Sequence, residues 1–370
     1  MTKTNLTSTA TAERLFSLDF FRGLTMFLLI AESTEIYALM TSEAFDGSLI
    51  SIIGTQFHHH PWHGLRFWDL IQPYFMFIVG VAMPYSLANR KKRGQTDRQI
   101  RKHIIQRALL LLFFGWALYC ISAGKIVFRF QNVLAQLSVT YLLAYLVMNK
   151  SARTQIIFSL ILIAITEFIY RIFPVEGFNH PFVANENFGT WLDLQYGGAD
   201  LYGHWVSINA IPTTAHTIWG VLAGQLLMSN RTDRQKLRNL VIAGIIGVVA
   251  GYALDPVTPI IKRICTSSFI LASGGWTILS LAFSFWLIDI MKQKNWSLFF
   301  AIVGMNPLFI YLFANVGGSG FVEHIFHPFT RAVFGWTGEV TAELLTSMIV
   351  LFFLWYMCYW LYKRKIFIKI

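Results

Sequence analysis

Four histidines fall within six positions in the segment Phe57-His58-His59-His60-Pro61-Trp62-His63-Gly64-Leu65. Imidazole is the side chain whose ordinary pKa lies near neutrality, so this segment suits general base catalysis or transient carriage of an acyl group. Asp69 follows His59 by ten residues at the mouth of an apolar block, where a carboxylate can orient and polarise a histidine. A metal centre is the weaker reading, because no carboxylate or cysteine lies within the cluster. A solvated histidine-rich loop without chemistry is the other alternative. Cys120, Cys265 and Cys358 are too far apart for a disulfide framework or a zinc spacing and read as structural. Glu32 and Glu35 are one helical turn apart and predict a pair of carboxylates facing a substrate. Arg22 lies one turn from Asp19, so it either pairs with it or helps to hold a phosphate. Lone polar groups at Glu167, His216 and Asn306 read first as interhelical hydrogen bonds. His204, Asp200, Asp193, His324 and His327 are candidates for an acceptor-side lining.

The elements that must position these groups are membrane helices. Of 370 residues, 55% are hydrophobic and 13% charged, against about 25% charged in ordinary soluble domains. Mean hydropathy is +0.53. The apolar residues come in long blocks, about ten of them, near 18–38, 67–88, 108–123, 132–149, 155–173, 207–228, 238–254, 267–289, 297–316 and 340–362. This predicts an all-α polytopic bundle forming a single domain over residues 1–370, with a flexible tail at 1–13. Twenty-three of the thirty Lys and Arg residues fall on one side of these spans, which by the positive-inside rule makes both termini cytoplasmic. The long loops 39–66, 174–206 and 317–339 then lie on the periplasmic side with the histidine cluster. The tail has no basic n-region or cleavage pattern, so no signal peptide is expected. The net charge of +11 is spread between apolar blocks without interleaved aromatics, which argues against a nucleic-acid partner.

Arg14-Leu15-Phe16-Ser17-Leu18-Asp19-Phe20-Phe21-Arg22-Gly23 resembles the R-x-x-S-x-D-x-F-R-G opening of the transmembrane acyltransferases related to heparan-alpha-glucosaminide N-acetyltransferase. His59-His60-Pro61-Trp62-His63-Gly64-Leu65 with Asp69-Leu70-Ile71 and Pro73 resembles the same family's H-x-x-W-x-G-L…D-L-x-x-P signature. Val133-Leu134, Val139-Thr140-Tyr141, Gly220-Val221-Leu222-Ala223-Gly224, Gly304-Met305-Asn306, Lys365-Ile366-Phe367 and Lys369-Ile370 continue the likeness in order along the chain. There are two departures. Ala135-Gln136 stands where the family has Gln-Arg, and Gly203-His204-Trp205-Val206 replaces an acidic segment before the sixth block.

The resemblance implies transfer of an acetyl group from cytosolic acetyl-CoA to an amino sugar across the membrane, by a homodimer that needs no metal. It implies His59, Asp69 and Asn306 as catalytic residues; Arg22 and Arg107, basic residues at the inner mouth, and Gln136, at the first departure, are the candidates for contacts to the cofactor. Glu32, Glu35, Trp62 and His204 are the corresponding candidates for the acceptor. Ser33, like Asn306, is a candidate for stabilising the developing oxyanion. A bacterial inner membrane is the expected location. A sugar permease is the competing reading from another class, although the sequence lacks the matched, interrupted half-repeats that transporters often carry. A structural membrane subunit and an O-acyltransferase of a surface glycan are further alternatives.

Overall fold

Thr96, Ser151 and Thr232 open long helices in the way their side chains favour. Each hydroxyl accepts the backbone N–H three residues on, from Gln99 (3.3 Å), Thr154 (3.2 Å) and Gln235 (3.3 Å). At Thr96 and Thr232 the glutamine side chain returns a bond to the cap, closing a capping box. The turns before these caps are short and polar, so successive apolar helices run antiparallel. The computed structural model describes residues 15–368. The expected tail 1–13, Arg14 of the opening motif, Lys369 and Ile370 lie outside the described residues.

Among the described residues the chain forms α1 (Phe16–Glu32), α2 (Ile36–Met40), α3 (Leu49–Gln56), α4 (Ile71–Lys92), α5 (Asp97–Ala123), α6 (Val133–Val147), α7 (Ala152–Ile172) and α8 (Phe188–Gln195). There follow α9 (Ala210–Met228), α10 (Asp233–Leu254), α11 (Ser267–Ser284), α12 (Ser297–Val303), α13 (Pro307–Phe313), α14 (Ser319–Phe334) and α15 (Glu339–Lys363). Seven helical stretches among the described residues are long and apolar enough to cross a bilayer: 67–92, 97–123, 152–172, 233–254, 267–290, 307–337 and 339–363. Three other expected spans are shorter or more polar: α1, α6 and α9. They lie inside the bundle, where Thr213, Thr214, His216 and Thr217 of α9 are fully buried. A helix surrounded by protein need not be apolar on every face.

Small residues allow the central crossings. A Cβ built on Gly220 of α9 would lie 2.2 Å from the Phe77 carbonyl oxygen of α4, and one on Gly80 would lie 2.0 Å from the Thr217 carbonyl oxygen. Backbones in such contact gain dispersion energy that no larger residue permits. Buried polar groups are paired across helices. His216 Nε2 meets the Ile270 carbonyl at 3.0 Å and Ser273 Oγ at 3.1 Å, and Glu167 takes Arg171, Thr258 and Ser267.

At one end of the bundle four connecting segments interlock. Gly64 N–H donates to the Ile260 carbonyl (2.8 Å), Trp62 Nε1 to Phe182 (2.8 Å), and Gln131 Nε2 to Asp193 (2.8 Å), while Arg263 reaches the Gly203 carbonyl. This is the loop end. The other, basic end carries the short turns with most of the Lys and Arg residues.

Several expectations about the elements are corrected. The first apolar block does not reach residue 38, because Ser33 and Thr34 hydroxyls bond back to the Ile30 (2.7 Å) and Ala31 (2.8 Å) carbonyls and end α1 at Glu32. Glu35 then takes a left-handed conformation with φ 59°, so Glu32 and Glu35 do not share one helix face. The ninth block, 297–316, is broken at 304–306 between α12 and α13. Residues 317–339, expected as a loop, are largely helical: Gly317 takes φ 93° and bends the chain, after which α14 resumes with Phe321, Val322, Ile325, Phe326 and Phe329 at helical spacing. The chain passes from α13 to α14 through a kink at Val316 and Gly317, whose backbone angles are not helical. Residues 39–66 likewise contain α3, and 174–206 contain α8.

Gly220→Val must push α4 and α9 apart and is expected to destabilise the protein by about 1–3 kcal/mol. Gly320→Ala, where an added Cβ meets nothing within 4 Å, is the comparison and is expected to fall within about 0.5 kcal/mol of wild type. Thermal unfolding in detergent, followed by tryptophan fluorescence, checks both; equal melting temperatures would refute the crossing as a packing constraint.

Candidate active site

The segment after α3 turns back on itself before α4 begins. Gly64 has φ 142°, and a Cβ there would lie 2.6 Å from His60 Nε2, so the turn requires glycine. Asp69, in the single turn leading into α4, is fully buried. Its Oδ2 accepts the backbone N–H groups of Arg66 (2.9 Å) and His60 (3.2 Å), and its Oδ1 lies 3.0 Å from His59 Nδ1. The Arg66 guanidinium donates to the His59 carbonyl at 3.2 Å. The histidine cluster is divided in space. His58 Nε2 sits 3.1 Å from the Tyr37 carbonyl and 3.2 Å from Thr41 Oγ1, and His63 Nε2 sits 2.8 Å from Asp255 Oδ1.

A second chain segment completes the pair. Residues 255–266 dock on the histidine loop through a bridge between His63 and Ile261, and deliver Lys262. Lys262 Nζ lies 3.0 Å from His59 Nδ1 and 3.7 Å from Asp69 Oδ1, with its side chain only 6% exposed. It also lies over the Trp205 ring at 5.3 Å, and that ring meets His59 edge to face at 5.5 Å. Burial and the Lys262 charge hold the His59 pKa down to about 4, against the pull of Asp69. Burial holds Lys262 down to about 8, again against Asp69. His59 is therefore a neutral imidazole at physiological pH. With Nδ1 committed to Asp69 and Lys262, Nε2 makes no hydrogen bond among the described residues.

His59, Glu32, Gln72, Gln136, Trp205 and Lys262 line one chamber of about 320 Å³. Glu32 accepts a bond from Trp68 Nε1 at 2.7 Å and is accessible from the chamber. Gln136 is hydrogen-bonded to Gln72. Arg22 of α1 and Arg107 of α5 line a second cavity of about 160 Å³, which shares Val133 and Tyr311 with the first. Arg22 is bonded to Asp19 at 2.7 Å, and Arg107 lies 5.0 Å over the Tyr141 ring. A cavity of about 700 Å³ between α7, α9, α10 and α11 is mostly apolar and contains none of these groups.

The sequence candidates thus separate. His59, Asp69, Glu32 and Gln136 come together, and so do Arg22 and Arg107; Gln136 faces the histidine and not the arginines. Asn306 is placed elsewhere: its Nδ2 donates to the Ile366 carbonyl (2.9 Å) and its Oδ1 accepts Ile368 N–H (2.8 Å), so its amide clamps the end of the described chain. Trp62 and His204 meet edge to face at 6.0 Å, outside the residues lining the chamber, with His204 Nδ1 on Asn185 Oδ1 at 3.0 Å. Glu35 lies at the break beyond α1 and does not line the chamber. Asp193 is consumed by Gln131, Tyr196 and Ser207. Ser33 lines the chamber and shares a 2.7 Å bond with Ser319. Lys262, Trp205, Gln72 and Tyr311 are site residues that motif reasoning missed. The one signal for Lys262 is its place on the side of the spans with few basic residues.

The family described as heparan-alpha-glucosaminide N-acetyltransferase, catalytic, matches residues 14–251, which include His59 and Asp69 and stop before Lys262. Heparan-alpha-glucosaminide N-acetyltransferase of Mus musculus is 30% identical over 142 residues, covering 36% of this chain and 19% of the relative. That of Homo sapiens is 25% identical over 424 aligned positions, covering 96% of this chain. The chain spans 60% of the length of that human relative.

Diethyl pyrocarbonate acylates only unprotonated imidazole. From pH 7.5 to 5 a histidine of ordinary pKa, about 6.5, should lose reactivity about thirtyfold, whereas His59 should lose no more than about a fifth. Mass spectrometry of the modified peptides, with a free histidine peptide as internal reference, reads both rates. A parallel loss at His59 would show that the ring is not held neutral.

Proposed function

The chain belongs to the heparan-alpha-glucosaminide N-acetyltransferase catalytic family, and on that premise we propose that it moves an acetyl group from cytosolic acetyl-CoA to an amino sugar or related glycan on the opposite face of the membrane. One observation carries this reading. The chamber holding His59 adjoins, through Val133 and Tyr311, the cavity lined by Arg22 and Arg107.

Acetyl-CoA is too polar to cross lipid, and an acceptor outside cannot enter the cytosol, so the thioester must be threaded into the bundle. Arg22 and Arg107 hold the phosphates at the basic end, where guanidinium offers charge and several donors. The acetyl group then passes Tyr311 to reach His59. Glu32, accessible from the same chamber, attracts the acceptor's ammonium group, which releases one proton to solvent to become the free amine before it reacts. As the amine nitrogen attacks the thioester carbonyl, His59 Nε2 takes its proton, and Asp69 keeps Nδ1 oriented. The tetrahedral intermediate collapses with loss of the thiolate, which takes the proton from the imidazolium. An acetamide and free CoA result. Amide or hydroxyl donors from Ser33, Gln72 or Gln136 stabilise the oxyanion, a contribution of about 2.7–4 kcal/mol for one good donor. Both termini on the cytoplasmic side of a bacterial inner membrane, and assembly as a homodimer, complete the reading.

Purified protein in detergent should release CoA from acetyl-CoA on addition of glucosamine. His59→Ala should lower kcat by about 10²–10⁴-fold. Arg107→Ala should raise KM for acetyl-CoA about tenfold or more, with kcat little changed, since it removes binding common to ground and transition states. Full turnover in His59→Ala would sink the assignment of that residue, and sugar entry into proteoliposomes without CoA release would sink the enzyme reading.

A further inference from the structure

We infer that Lys262 is a positioning residue for His59: set beside both the imidazole Nδ1 and the Asp69 carboxylate, its ammonium offsets that carboxylate and keeps the ring in its unprotonated form. The inference rests on the reading of His59 as the base in acetyl transfer.

A histidine 3.0 Å from a fully buried carboxylate would ordinarily be drawn towards imidazolium, because an opposite charge at that range raises its proton affinity by about 1–3 pH units. A protonated ring cannot take a proton from an acceptor. Lys262 Nζ occupies the place from which this pull can be cancelled, 3.0 Å from Nδ1 and 3.7 Å from Oδ1. Nδ1 can make one of two bonds. Either it donates to Asp69, and the neighbouring ammonium opposes a second proton on Nε2, or it accepts from Lys262 and its lone pair is taken. In both arrangements a doubly protonated ring is penalised. When the ring does gain a proton during turnover, the same ammonium favours passing it to the departing thiolate.

The lysine is held for this task. Its backbone carbonyl accepts Cys265 N–H at 3.0 Å, its neighbour Ile261 bridges to His63, and its head lies over Trp205. The charges around His59 are few. Asp69 comes from the entry to α4, Lys262 and Arg263 from the 255–266 segment, and the Arg66 guanidinium meets the His59 carbonyl. Glu32 of α1 acts on Lys262 from across the chamber, His58 and His60 flank the ring in sequence, and the 173–206 segment presents the Trp205 ring. Asp69 is thus the anion that favours a proton on His59, and Lys262 is the cation nearest to both.

The test follows carbethoxylation of His59 against pH in the full-length protein, in wild type, Lys262→Met, Lys262→Arg and the double variant Lys262→Met/Asp69→Asn. The wild-type midpoint is expected near 4. Lys262→Met should raise it by at least about one unit, Lys262→Arg should stay within about half a unit of wild type, and the double variant should return below Lys262→Met. An unchanged midpoint in Lys262→Met overturns the inference. So does a common value near 6.5 in Lys262→Met and the double variant, which reports a ring merely exposed by disordered packing. The acid limb of kcat/KM should move upwards with Lys262→Met in parallel. If wild type transfers no acetyl group, the proposed function fails, while the His59 midpoints still decide the role of Lys262.

Discussion

A carboxylate without access to water must have its lone pairs filled by protein, and Asp69 meets that demand with two backbone N–H groups and one imidazole, beside an ammonium 3.7 Å away that balances its charge. Leaving such a group unsatisfied costs more than most single packing changes, about 1–3 kcal/mol for a neutral group and more for a charged one. The requirement therefore fixes the path of the chain around it. The backbone at His60 and Arg66 must turn inward, Gly64 must take its positive φ between them, and the 255–266 segment must dock closely enough to bring Lys262 in. The geometry of the candidate site and a folding constraint are here the same set of bonds.

The rest of the bundle gives this cluster access from two sides. Glycines at 80 and 220 bring α4 and α9 into backbone contact, so α4 cannot drift and Asp69, at its entry, is held with it. The chamber at the loop end and the cavity near the basic end meet at Val133 and Tyr311. Val133 is the first residue of α6, whose cap Asn132 also bonds the Gly115 carbonyl of α5 at 2.6 Å. The constriction between the two cavities is thus built from the start of a short, buried helix.

Much of this was legible in the sequence because it is local. The spacing from His59 to Asp69 lies within one turn-back of the chain, and a carboxylate at a helix mouth beside an imidazole has few other uses. Helix existence followed from apolar block length, which depends on bilayer thickness and not on the fold. What failed depended on backbone detail or on long-range partners. Ser33 and Thr34 end α1 through hydroxyl bonds to its last carbonyls, a competition between side chain and backbone that apolar counting ignores. The 317–320 glycines resemble a loop by composition, yet only Val316 and Gly317 leave helical geometry, and α14 starts at Ser319. Asn306 was implied as catalytic by the family resemblance alone; its partners, Ile366 and Ile368, are some sixty residues away and could not be paired from the sequence.

Lys262 was missed for the same reason, but the sequence carried an indirect mark of it. Seven basic residues fall on the side of the expected spans where the positive-inside rule would disfavour them. Each such exception calls for a local partner. Arg171 has Glu167, Thr258 and the Val257 carbonyl; Arg66 has the His59 carbonyl; Arg263 has Gly203 and the Trp205 ring; Arg331 faces Glu339 at 3.7 Å. Lys125 stays exposed, where a charge costs little, and Arg129 is half-buried. Lys262 differs from the other six in being buried. Burying an ammonium costs several kcal/mol unless an anion repays it, and Asp69 is the anion it meets. The carboxylate that positions the histidine and the lysine that restrains its charge therefore stabilise each other, and the imidazole between them is kept neutral by a pair that would each be unfavourable alone.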